Sequence, residues 1–282
     1  MPELPEVETV VRGLNETVVG KTIKKVRINA PITSIVVGKS LNKKSFESNL
    51  AGKTITGISR RGKNILINLS GNITLWAHLK MTGRFLYVPH DDAFDKHDLA
   101  VFDFDTQKKS DVNHLRFNDI RRFGRLRLYR TGEVLNQKGL KELGPEPLEM
   151  TVGEFIKLFK STSRMVKPAL LDQSFIAGIG NIYADESLFA SKIHPRKLTN
   201  RISNQKLSLL YKEIRKVLTK AIKHMGSSVD NYQGVNGKPG TFQNYLNAYN
   251  NEGNPCVRCG RKIVREVIGS RSAHFCRNCQ RI

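Results

Sequence analysis

The residues with the clearest chemical promise stand at the two ends of the chain. Met1-Pro2-Glu3-Leu4-Pro5-Glu6-Val7-Glu8 sets an imino acid and three carboxylates together. Removal of Met1, expected before a small residue, would bare the Pro2 nitrogen as a secondary amine. An α-amino group titrates at ~8 against ~10.4 for lysine, so far more of it is neutral and nucleophilic at pH 7. Its attack on an aldehyde-like carbon gives an iminium with no N–H to lose, an electron sink suited to elimination. Glu3, the next residue, can serve as acid or base. The same residues also fit a plain helix start, with Pro2 before the first turn and Glu3 and Glu6 as ordinary first-turn acids.

The other end carries all four cysteines, as Cys256-x-x-Cys259, sixteen residues, then Cys276-x-x-Cys279. Each pair can wrap one side of a tetrahedral ion, and four thiolates close its coordination sphere. The expectation is one structural Zn2+ with no position left for catalytic water. His274 reads as a surface or packing histidine. From Cys256 to the end there are seven basic residues, Arg258, Arg261, Lys262, Arg265, Arg271, Arg277 and Arg281, against the single acid Glu266. A zinc-stapled hairpin with that charge suits phosphate contact.

The whole composition points the same way. Among 282 residues, 47 are Lys or Arg and 25 are Asp or Glu, a net charge of +22. Such a chain repels itself unless it works against a polyanion, nucleic acid first and an anionic membrane surface second. A disulfide scaffold would scatter its cysteines behind a signal peptide, and no stretch here resembles one. No apolar run approaches the length of a bilayer span. The reading is a soluble intracellular protein, large enough for two or more cored domains.

Several elements must position these ends. Val7, Val10, Val11, Leu14 and Val18 recur at helical spacing up to Gly20. Alternating stretches then predict strands at Thr22 to Ile28, Thr54 to Ile58, Ile65 to Leu69, Ile73 to Leu79, Arg84 to Val88, Leu99 to Phe104, His114 to Asn118 and Arg125 to Tyr129. So many short strands suggest a sandwich or barrel with the first helix against one edge. Gly144-Pro145-Glu146-Pro147 marks a boundary. Helices follow from Thr151, from Pro168 to about Phe175, from Ile182 to Ser191 and from Ser203 to Met225, with a tight turn at Gly178-Ile179-Gly180-Asn181. Residues 226–243 are rich in Gly, Asn and Ser and read as a long loop. Lys262 to Ile268 and Ser272 to Phe275 read as the strands of the cysteine hairpin.

The N-terminal Pro-Glu-Leu-Pro-Glu-Val-Glu, the Gly178 to Asn181 turn and the four-cysteine ribbon together resemble the formamidopyrimidine-DNA glycosylases. Arg61-Gly62-Lys63, His78-Leu79-Lys80-Met81-Thr82-Gly83, Asp119-Ile120-Arg121-Arg122-Phe123-Gly124, Lys167-Pro168, Gly178 to Glu186 and Arg271 through Gln280 match in order. The resemblance spans essentially the whole chain and implies an α+β, multidomain fold. Its parts would be a catalytic N-terminal helix and β-sandwich domain (1–147), a helical DNA-binding domain with a helix-two-turn-helix element and a lesion-capping loop (148–250), and a zinc-finger hairpin (251–282). It also implies that Pro2 attacks C1′ of a damaged nucleoside while Glu3 shuttles protons. Lys63 and Arg271 complete the catalytic set, with Glu6 a secondary candidate. His78, Arg121, Lys167 and Asn181 would contact DNA, and Met81, Arg121 and Phe123 would form a wedge in the duplex left by base flipping. For Phe123 a core position competes. One departure stands out: Tyr249 is followed by Asn250-Asn251, where the family commonly has Gly and a basic residue.

The implied function is excision of oxidised purines (8-oxoguanine, formamidopyrimidines) from duplex DNA with β,δ-elimination at the abasic site. The partner would be damaged double-stranded DNA, met by a monomer in the cytoplasm at the nucleoid, without a membrane. Two alternatives share parts of this evidence. A related glycosylase class prefers oxidised pyrimidines, and a non-catalytic zinc-ribbon protein would explain the charge and cysteines equally well.

Overall fold

The computed structural model describes residues 1–29, 42–89, 93–105, 113–229 and 232–282. Residues 230 and 231 of the expected 226–243 loop lie outside the described residues. The chain divides into two compact units, one of Met1–Lys141 with His224–Thr241, the other of Glu142–Lys223 with Phe242–Ile282. Packing therefore groups the 224–241 segment with the first unit and the cysteine ribbon with the helices, across the three-part division expected from sequence.

The first unit opens with α1 (Leu4–Val18), whose Val7, Val10, Val11, Leu14 and Val18 are buried as their spacing requires. Strand β1 (Ile23–Ile28) follows, then α2 (Lys43–Leu50), which the sequence reading had not placed. Its apolar content within eight residues is only Phe46 and Leu50, one turn apart, too thin a stripe to read. Asn42 caps it by accepting the Ser45 amide at 2.8 Å.

Strands β2 (Ile55–Arg61), β3 (Asn64–Leu69), β4 (Ile73–His78), β5 (Gly83–Pro89), β6 (Asp98–Phe104), β7 (Asn113–Asp119) and β8 (Arg125–Arg130) complete the unit. They form two antiparallel four-stranded sheets, ordered β1-β6-β7-β5 and β2-β3-β4-β8. Side chains of both sheets and α1 share one apolar core, so the architecture is a β-sandwich. Helix α1 packs along the edge strand β2. There the Asn15 amide donates to the Ile58 carbonyl at 2.8 Å, and Asn15 Oδ1 accepts the Ile58 N–H at 3.2 Å. One side chain thus satisfies an edge that would otherwise invite pairing.

The second unit is built on α3 (Val152–Lys160), α4 (Val166–Leu171), α5 (Asn181–Ala190) and α6 (Asn204–Lys223). Thr151 and Glu154 form a capping box at the start of α3. Helix α4 starts two residues before the expected Pro168 and stops earlier than Phe175. Pro168 is tolerated in the first turn, and Asp172 ends the helix by taking the Ser174 N–H at 2.9 Å. The unit closes with the hairpin of β9 (Val264–Ile268) and β10 (Arg271–Phe275).

Candidate active site and nucleic-acid interface

In the first unit, Pro2 and Glu3 are both buried at the start of α1, with Glu3 as its N-cap. Glu6, also buried, accepts the Glu3 N–H at 2.8 Å with one carboxylate oxygen and the Ser227 N–H at 2.8 Å with the other. Gly226 has a φ of 79°, and a Cβ there would lie 2.7 Å from that second oxygen, so glycine is required on both counts. Tyr232 donates its hydroxyl to the Glu6 carbonyl at 3.1 Å. Glu6 therefore ties the root of the 226–241 segment to the residue that would do acid–base work. With Met1 attached, Pro2 nitrogen is an amide and has no lone pair to offer, so any nucleophilic role requires that residue's removal.

Lys63 lies in the β2–β3 turn, where Gly62 takes a φ of 57°. It is buried. His78, at the end of β4, accepts the Lys80 N–H on Nδ1 at 2.9 Å. Burial, with the charges of Lys80, Lys63 and Arg125, pushes this imidazole down to about 3. His78 is therefore neutral at pH 7 and can offer an anion a hydrogen-bonding ring but not a cation.

The residues expected to form a wedge sit on two turns, and one buried carboxylate organises both. Asp119 takes the Thr82 hydroxyl at 2.5 Å and the Arg121 N–H at 3.1 Å on one oxygen, and the Gly124 N–H at 2.6 Å on the other. Lys80 and Arg122 adopt left-handed φ values of 54° and 57° beside it. The result displays Met81 (36% exposed) and Phe123 (45% exposed), and Arg121 lies over the Phe123 ring at 4.8 Å. Phe123 is therefore not a core residue. Ile120, 57% exposed on the same turn, joins this apolar display and was missed by sequence reasoning. Its signal was available, an apolar side chain beside two arginines in a turn. Asp119 opens the matching segment Asp119 to Gly124, and nothing in the sequence marks it as the residue that shapes both turns.

In the second unit, the turn at Gly178 (φ 96°) leads into α5, and Asn181 is its first residue. Asn181 Oδ1 is buried with no hydrogen-bond partner. An amide side chain at a helix start is placed to meet an anion through its NH2 and the helix dipole. Arg271 is exposed at the tip of the hairpin, after Gly269 (φ 65°) makes the turn. Lys167 departs from expectation. It is 0% exposed, and its ammonium donates to Asp185 at 2.5 Å and to the Ser272 carbonyl at 2.5 Å. A side chain so enclosed has no surface to offer DNA, and the direct contact expected from sequence is corrected accordingly. His274 is buried too, its N–H and Nδ1 at 2.9 and 3.1 Å from Asp185.

The four cysteines converge, with their sulfurs all within 4.8 Å of one another. Cys256 and Cys279 stand 3.9 Å apart and Cys259 and Cys276 3.5 Å. Tetrahedral ligands at about 2.3 Å from zinc are separated by roughly 3.8 Å, whereas a disulfide needs about 2.05 Å. The Gly260 and Gln280 N–H groups fold back on the Cys256 and Cys276 carbonyls, at 2.9 Å each, making the two knuckles. Hydrogen bonds from Asn278 and the Arg261 backbone bring the Cys259 thiol down to about 6. Burial and the neighbouring sulfurs push Cys279 up to about 12, and burial raises Cys276. Four thiolates cannot coexist here without a cation, so the donor set fits a metal. Asn250, at the departure from the family pattern, has a φ of 61°. Asparagine tolerates this left-handed conformation, which glycine also adopts freely.

Comparison with known proteins agrees with this geometry in each part. Residues 1–126 match the formamidopyrimidine-DNA glycosylase N-terminal domain, 143–233 the H2TH domain of the same enzymes, and 253–282 a zinc finger found in FPG and IleRS. The chain is 43% identical to the formamidopyrimidine-DNA glycosylase of Ligilactobacillus salivarius, over 99% of both chains. It is 41% identical to that of Pelotomaculum thermopropionicum over the full length of both. Among solved structures, Lactococcus lactis Fpg in complex with N7-benzyl-Fapy-dG DNA superposes with a TM-score of 0.89 at 36% identity, covering 100% of each chain. The same protein with abasic-site DNA gives 0.90 at 36% identity, again covering 100% of each chain. No helix among the described residues is long and apolar enough to cross a membrane. With family models matching residues 1–126, 143–233 and 253–282, and relatives 43% and 41% identical over essentially the whole length of both chains, the chain belongs to the formamidopyrimidine-DNA glycosylase family.

Proposed function

We propose that this chain is a bifunctional DNA glycosylase and abasic-site lyase that removes oxidised purines, 8-oxoguanine and formamidopyrimidines, from duplex DNA. The observation that carries the reading is the Pro2-Glu3 start, buried at the head of α1 and tied by Glu6 to the 226–241 segment. After loss of Met1, the Pro2 nitrogen gives its lone pair to C1′. The bond from C1′ to the base breaks with its electron pair going to the base, and the departing base takes up the proton that the Pro2 nitrogen sheds. Glu3 supplies a proton at the sugar ring oxygen, which opens the ring to an iminium. That cation makes the C2′ proton acidic, so the 3′-phosphate leaves by β-elimination and the 5′-phosphate by a second, δ-elimination. Water then hydrolyses the conjugated iminium and frees Pro2.

The remaining residues bind and hold. Lys63 and Arg271 stand with the phosphates of the reacting nucleotide, and His78 and Asn181 contact the backbone beside it. Met81, Arg121 and Phe123 fill the space left by the extruded nucleotide. One Zn2+ held by Cys256, Cys259, Cys276 and Cys279 would cross-link the two knuckles and supply no catalytic chemistry. The chain works as a monomer on damaged duplex DNA, in the cytoplasm and at the nucleoid. Excision assays on duplexes with an oxidised purine or an oxidised pyrimidine test the reading. Faster release of the purine with cleavage on both sides of the site is expected. Preference for the pyrimidine would move the chain to the sister class, and binding without cleavage would leave a non-catalytic ribbon protein.

A further inference from the structure

The buried pair of Lys167 and Asp185 takes no part in the chemistry above, yet it joins both phosphate-directed parts of the second unit. Asp185 lies four residues after Asn181 on α5, about 6 Å down the helix axis. One of its oxygens accepts Lys167 Nζ at 2.5 Å. The other accepts the main-chain N–H of His274 at 2.9 Å and faces His274 Nδ1 at 3.1 Å. Lys167 also donates to the Ser272 carbonyl at 2.5 Å, and Arg265 reaches across the hairpin to the Ser272 hydroxyl at 2.9 Å. Ser272 directly follows Arg271. The neighbouring Glu186 accepts the N–H groups of Asn247, Ala248 and Tyr249, where the chain approaches the ribbon. Helix α5 therefore grips the ribbon twice, at its approach and on the strand that Arg271 begins.

Stability alone is a poor reason for this pair. Apolar side chains of similar volume serve a buried position as well or better, because two charges must be taken from water to form the pair. What an ion pair with three main-chain and side-chain acceptors and donors adds is a fixed direction. We propose that Lys167 and Asp185 are positioning residues that set Arg271 relative to the N-terminus of α5, so that arginine and helix start hold DNA phosphates as one rigid clamp. This rests on the glycosylase reading for its ligand.

The test is a thermodynamic cycle on binding to a duplex carrying a reduced abasic site, which the enzyme cannot cleave. Arg271→Ala is measured in the natural sequence and in the Lys167→Met/Asp185→Leu background, with zinc content and melting temperature recorded for each. The apolar background should keep its zinc and its fold and bind about tenfold more weakly. Arg271→Ala should cost about tenfold in the natural sequence and less than twofold in that background. Equal cost in both backgrounds, or unweakened binding by the apolar double variant, overturns the clamp. Should the double variant lose zinc or unfold, Asp185→Asn, which keeps volume and an acceptor for His274, runs the same cycle. Loss of zinc or fold in both overturns the positioning role in favour of a purely structural one. Failure of the unaltered protein to bind abasic DNA would instead overturn the glycosylase reading, and the clamp with it.

Discussion

Asp119 in the first unit and Asp185 in the second are both buried carboxylates next to residues proposed to face DNA, and they are satisfied in opposite ways. Asp119 accepts two backbone N–H groups and a threonine hydroxyl, all from its own and one neighbouring turn. Asp185 accepts a lysine ammonium from another helix and a histidine from the ribbon. The first arrangement fixes the shape of a turn and displays Met81, Ile120 and Phe123 to solvent. The second fixes one element against another and leaves a full charge stranded if either partner goes. Buried acids can thus shape a turn or brace one element against another, and the donor chemistry tells which.

That contrast predicts unequal penalties. Lys167→Met removes the only ammonium bonded to Asp185 among the contacts described and should destabilise the second unit by about 3–5 kcal/mol, read by urea unfolding. Asp119→Ala strands two N–H groups and a hydroxyl that water can partly reach. It should cost about 2–3 kcal/mol, together with a clear loss of base excision as the wedge turns relax. Equal penalties at the two sites would erase the distinction between them. The third effect is smaller and belongs to the first unit. His78 is held near 3, below the ordinary histidine value, so between those limits the unfolded chain binds a proton that the folded chain does not. Stability is therefore lost as pH falls through the ordinary histidine range, by about 2 kcal/mol between pH 7 and pH 5. His78→Asn, which keeps an acceptor for the Lys80 N–H, should lose less over the same interval.

The strands were legible as short runs rich in Ile, Leu, Val and Phe between turn residues, though β3, β6 and β7 are buried almost throughout and do not alternate. All eight of the sandwich fall within a residue or a few of their expected limits. The cysteine ribbon was legible from spacing alone, since two C-x-x-C pairs have little else to do. Helix α2 was not, because Phe46 and Leu50 are too few to set a period. Lys167 was misplaced for a deeper reason. A lysine in a basic chain reads as a phosphate contact, and its true partners stand 18 and 105 residues away, at Asp185 and Ser272. Nothing local in Lys167-Pro168 announces a buried ion pair. Likewise His274 reads as a packing residue, and only the fold shows it bonded to Asp185. Asn250 shows the reverse case: at a departure from the family pattern, asparagine takes a left-handed φ of 61° that glycine adopts as readily.

The central claim is that a bared Pro2 nitrogen bonds covalently to the sugar. Borohydride reduction of the protein mixed with abasic-site duplex, followed by peptide mapping, measures it directly. Protein lacking Met1 should be trapped through its N-terminal proline, and protein retaining Met1 should not be trapped. An adduct on Lys63, or equal trapping with Met1 in place, would contradict the mechanism.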